Sequence, residues 1–170
     1  MLVLGDLVRV TAPWHHLFDR SRPVEMATVG THVLSMLIAG GLAIAHDRGT
    51  MRASKSSDVI RSHHLGELQA VHRPVITALA ICMASGVALF ASDVGTYAFS
   101  PTFWIKLGLI ALLLANALVM QSGERTLSYA SAGAGGAATA AWTRIRASSV
   151  VSVALWTSIV LISIVLSLEK

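Results

Sequence analysis

The chain has 170 residues, 54% of them hydrophobic and only 13% charged, with a mean hydropathy of +0.67, which places it among membrane proteins and leaves no room for a large soluble domain. Its net charge of +4 does not signal a nucleic-acid partner, because the basic residues sit at the ends of apolar runs and in the loops between them, where membrane topology accounts for them. One cysteine, Cys82, excludes an intrachain disulfide.

The first 23 residues open MLVLGDLVRV. Asp6 and Arg9 break the apolar run that a cleaved secretory signal needs, so the segment is read as retained and interfacial, with Leu2, Leu4, Leu7 and Val8 toward lipid. Trp14, His15 and His16 then lie at headgroup level; the adjacent histidines lack further ligands at metal-binding spacing.

Apolar runs follow at about 24–46, 70–91, 103–120 and 147–168, each near the length a bilayer demands. They predict an all-α membrane protein, a four-transmembrane-helix antiparallel bundle with a short N-terminal interfacial segment, forming one integral domain over 1–170. The first span, VEMATVGTHVLSMLIAGGLAIAHD, carries His32 and His46. Fourteen residues at about 100° each return within roughly 40°, so the two rings project from nearly one face, about 21 Å apart. Thr28, His32, Ser35, Ala39, Ala43 and His46 make that face small and polar, a stripe for packing against helices.

The connection after it is the most polar part of the chain and gathers Asp47, Arg48, Asp58, Arg61, His63, His64, Glu67, His72 and Arg73. Such a cluster suits a proton entry, a quinone headgroup, a lipid headgroup or plain solvation. The second span is expected to place Pro74 in its first turn and to continue one face from His72 through Ile76, Leu79, Met83, Gly86 and Phe90. Ser92, Asp93, Val94 and Gly95 are read as a turn. Ser100 and Pro101 start the third span as N-cap and first residue; Trp104 anchors it, Lys106 snorkels, toward Asp93, and Asn116 needs a partner inside the bundle. YASAGAGGAATAA reads as a flexible connection. The last helix is expected from about Thr139, running along the interface past Trp142, Arg144 and Arg146 before crossing as a closing wall.

The two long connections hold Arg48, Arg52, Lys55, Arg61, Arg73, Arg125, Arg144 and Arg146; Arg9, Arg20, Arg22, Lys106 and Lys170 lie on the other side. This excess puts the basic connections in the cytoplasm and both termini outside.

Two histidines on one helix at this spacing suit two haem planes about 20 Å apart, each completed by an imidazole from a facing helix. His46 or His32 with His72 would hold a single b-type haem; at the depth of His32 the second helix offers Met83, since Gly86 stands where a second histidine would be needed. The strings HLGELQAVHR, SGVALFASD and FWIKLGLIALLLAN resemble uncharacterised small bacterial four-helix inner-membrane proteins and, more distantly, cytochrome b561-like and copper-resistance CopD-like membrane modules. The resemblance implies a bacterial inner-membrane location and a b-haem or metal-handling role with His32 and His72 as ligands.

Three functions stay open. One is a redox subunit binding haem b and passing electrons between a quinone and a partner. Another is a cofactor-free accessory subunit of a larger membrane complex or a homo-oligomer, and a third is a small transporter using Asp93, Lys106 and Asn116 as a polar path. No deep carboxylate pair, Ser/His arrangement or zinc motif points to a hydrolase or transferase.

Overall fold

Long apolar segments in lipid must satisfy their backbone groups internally, and continuous helices do so. The computed structural model of the chain describes the backbone of residues 2–53, 58–130 and 135–168, and the side chains of 5–52, 73–127 and 139–168. All elements among the described residues are helices: α1 (Leu2–Arg20), α2 (Arg22–Ala53), α3 (Asp58–Ser92), α4 (Val94–Phe99), α5 (Pro101–Ala130) and α6 (Gly135–Leu168). Four stretches are long and apolar enough to cross a membrane: Arg22–Arg52, Arg73–Ser92, Pro101–Leu127 and Thr139–Leu168. The protein is therefore an all-α, multi-pass membrane bundle. Its outward apolar side chains, Leu34 at 61% and Leu118 at 69% exposure among them, belong in lipid rather than water.

Packing follows the small residues. α2 lies between α3 and α6, and α6 in turn packs on α5, giving the row α3–α2–α6–α5. A methyl group at Gly40 of α2 would come within 3.0 Å of the Trp156 ring on α6, and one at Gly123 of α5 within 2.7 Å of Ile145 Cγ1; glycine lets both pairs approach. Ala39, Ala78, Leu113, Trp156 and Ile159 form an apolar layer shared by all four long helices. Toward the end carrying Arg48, Arg52, Arg125, Arg144 and Arg146, called here the basic end, Met120, Leu127, Ala141, Trp142 and Ile145 seal α5 to α6.

Several local expectations change. The N-terminal segment is one helix of 19 residues that continues through Pro13; Trp14 Nε1 donates to Ala88 O over 2.8 Å and His15 Nδ1 meets Ser92 O at the end of α3. Pro74 lies inside α3, not in its first turn, because the helix already begins at Asp58. The turn expected at Ser92–Gly95 is the start of α4, capped by Asp93 Oδ1, which accepts from Thr96 N at 3.1 Å. Ser100 caps α5 as expected, its Oγ accepting from Phe103 N at 3.2 Å. α6 is one uninterrupted helix, and Trp142 is buried against α5 where an interfacial position was expected, since Met120 and Leu127 offer it an apolar seat. α6 touches both α2 and α5.

Candidate functional site

Two polar regions occupy different levels of the bundle, separated by the apolar layer around Ala39 and Trp156. At the level nearer α1, His32 of α2 turns its ring onto α3. Nδ1 is 3.0 Å from Cys82 O and 3.1 Å from Ser85 Oγ. A carbonyl only accepts, so Nδ1 carries the proton and donates. A methyl group at Gly86 would approach His32 Cε1 to 3.1 Å, so the ring occupies the space that the missing side chain leaves. Ser35 and Ser85, both buried, return their hydroxyls to their own helices at Thr31 O and Ile81 O. Lys106 of α5 lies in the neighbourhood of His32 and Cys82; it forms no ion pair with Asp93, which is occupied at the α4 cap.

The second region lies toward the basic end. α3 and α5 flank a cleft of about 120 Å³ without packing closely on each other. Leu79, Val75, Leu113 and Trp156 make its walls, and His46, Asp47, Asn116, Gln121, Glu124 and Ser152 make its polar part. Exposure falls inward: the side chains of His46 and Glu124 are 14% and 18% exposed, whereas Asp47 is 2% exposed. His46 Nε2 and Glu124 Oε1 are 3.9 Å apart, too far for a direct hydrogen bond and suited to a bridging water. Asp47 Oδ2 and Ser149 Oγ are buried with no hydrogen-bond partner. Ser149 and Ser152 of α6 and Glu124 of α5 are the groups that act on the Asp47 carboxyl. Beside them Asn116 Nδ2 donates to Ser148 O over 2.9 Å, and Ser148 Oγ donates to Asn116 Oδ1 over 2.9 Å.

The structure therefore unites His46, Asp47 and Asn116, and places His32 elsewhere. Met83 is 42% exposed on α3, while the His32 ring engages Cys82, Ser85 and Gly86. Arg48 and Arg73 are exposed. The side chains of Glu67 and His72 lie outside the described residues. Asp93, Lys106 and Asn116 do not share one path: the first caps α4, the second adjoins His32 and the third is locked to Ser148. Three contributors escaped sequence reasoning: Glu124, Ser149 and Ser152. Their signal was present, since Ser149 and Ser152 stand one turn apart on α6, next to Ser148, which bonds Asn116 on its partner.

The space beside His32 is taken by α3 at Gly86, and the cleft beside His46 has a volume of about 120 Å³. Among the described residues no group of three or more His, Cys, Asp or Glu side chains could hold a metal ion. In comparisons with protein families, curated proteins and solved structures, no match to the chain is found.

Proposed function

We propose that the protein is a proton-exchanging membrane subunit whose working group is Asp47. The observation that carries this reading is a carboxyl 2% exposed, with one oxygen making no well-formed hydrogen bond, in the lining of a cleft. An ionised carboxylate is costly in such a place unless a positive charge compensates it, and within membranes such residues mark proton and ion sites. His46 and Glu124, nearer the opening, are acid–base groups through which a proton passes between the medium and Asp47, with one or more waters bridging the 3.9 Å gap. At about 30 Å³ each, roughly four waters fit the cleft.

The positive-inside rule assigns the basic end to the cytoplasm and therefore the cleft to the cytoplasmic half of the membrane. Because α3 and α5 stand apart, the cleft is also open to lipid-borne partners that give or take protons, a quinone headgroup among them. The apolar layer on its far side interrupts a continuous polar path, which favours an exchange site over an open channel.

Infrared difference spectra of the protein in lipid nanodiscs, recorded as a function of pH, test the reading. A carboxylic-acid band that titrates, vanishes in Asp47→Asn and persists in Asp93→Asn is expected. A spectrum with no such band, or with one that survives Asp47→Asn, overturns the proposal.

A further inference from the structure

The two unpartnered buried atoms near Asp47 belong together. Asp47 Oδ2 and Ser149 Oγ are the side-chain atoms, among the described residues, that are buried without a hydrogen-bond partner, and they come from neighbouring groups on α2 and α6. Ser149 is 0% exposed and Ser152 is 7% exposed. A hydroxyl beside a carboxylate ordinarily donates to it, and buried polar atoms rarely stay unmatched. Here Ser149 and Ser152 lie within hydrogen-bonding reach of the Asp47 carboxyl, while Asp47 Oδ2 and Ser149 Oγ make no well-formed hydrogen bond.

The groups packed around them narrow the occupant. α6 contributes Ser149 and Ser152 and the ring of Trp156, α5 contributes Glu124, a second acid, and α2 adds His46 next in sequence; the described part of α3 contributes the apolar Val75 and Leu79. No described lysine or arginine compensates the carboxylate. Asp47, Ser149 and Ser152 themselves offer only oxygen donors, which select hard cations. A single fully buried carboxylate balances one positive charge.

We propose that Asp47, Ser149 and Ser152 form a site for a small monovalent cation of the sodium class, which competes with the proton for the Asp47 carboxylate. The inference rests on the reading of Asp47 as the group that takes up positive charge, and names the second species that it takes up. The cation bonds to Asp47 Oδ2 and to the two serine hydroxyl oxygens, and its arrival releases the Asp47 proton to the cleft.

The test compares sodium chloride with choline chloride at equal ionic strength, on the whole protein in nanodiscs, with two readouts. In unfolding temperature, sodium is expected to stabilise the wild type by about 2–4 °C at roughly five times its dissociation constant. That gain should disappear in Asp47→Asn, a near-isosteric change that keeps the fold, and shrink in Ser149→Ala. In the infrared titration, the Asp47 midpoint should fall by about one pH unit for each tenfold rise in sodium above that constant. A sodium effect that is absent, or equal in wild type and Asp47→Asn, overturns the cation site. If the Asp47 band still titrates in choline, the proton reading survives that failure; if no band titrates in choline, the proton reading itself is overturned.

Discussion

His32 and Asp47 lie on the same helix, and both put a polar group into a helix interface, but their surroundings differ in kind. The His32 ring is met by a carbonyl 3.0 Å from Nδ1 and by a glycine that clears a seat for it. The Asp47 carboxyl is approached by Ser149 and Ser152, but its Oδ2, like Ser149 Oγ, makes no well-formed hydrogen bond. A polar group whose hydrogen bonds and packing are complete holds two helices in register. One left incomplete at 2% exposure calls for a different explanation, and the proposed proton site supplies one. The contrast separates glue from site, although composition and spacing make the histidine the more conspicuous residue.

The comparison breaks first on stability. His32→Ala deletes a half-buried ring and its interhelical hydrogen bond and leaves a void over Gly86. Loss of that bond in a membrane is worth about 0.6–1.7 kcal/mol, and the void adds to it, so a total near 2 kcal/mol is expected from equilibrium unfolding in mixed micelles. The infrared titration of Asp47 should be unchanged in this variant. A visible spectrum that gained or lost a b-type band with His32 would instead make the ring a ligand and reverse its assignment as packing.

A smaller effect is expected from Asn116→Ala, which sharpens the boundary between the two kinds of polar group. Asn116 lines the cleft but already exchanges hydrogen bonds with Ser148 in both directions. Its removal strands the Ser148 hydroxyl and should cost about 1 kcal/mol, read by the same unfolding measurement, with the Asp47 band still present. If the band vanished, Asn116 would belong to the site and not to the α5–α6 seam.

How far the sequence could be read follows from the range of each interaction. Span number, helical class and the stripe on α2 rest on local periodicity, and Ser35 and Ala39 of that stripe are indeed buried. The cap at Ser100 and a bundle partner for Asn116 were likewise legible, since a polar group in an apolar helix must find a mate. The partners of His32 were not, because Gly86 reads equally as an absent ligand and as a seat for a ring; only the α2–α3 register decides. Asp47 read as part of a polar connection because helix ends cannot be placed from composition once a helix outruns its apolar stretch, and α2 continues to Ala53. Glu124 and Ser149 come from helices distant in sequence and carry no spacing relation to Asp47 at all.

Asp47→Asn is expected to change stability least and function most. Asparagine keeps the shape of the side chain, removes the charge that burial disfavours, and brings an amide that can donate to Ser149 Oγ, so the unfolding free energy should stay within about 1 kcal/mol of wild type. A loss larger than that of His32→Ala would mean that the carboxylate holds helices together through pairings stronger than those described, and Asp47 would join His32 as glue. A neutral or stabilising change, together with loss of the titrating band, is the signature of a group held in an unfavourable state for use, because a charge retained against its own desolvation cost contributes nothing to the fold that an amide would not.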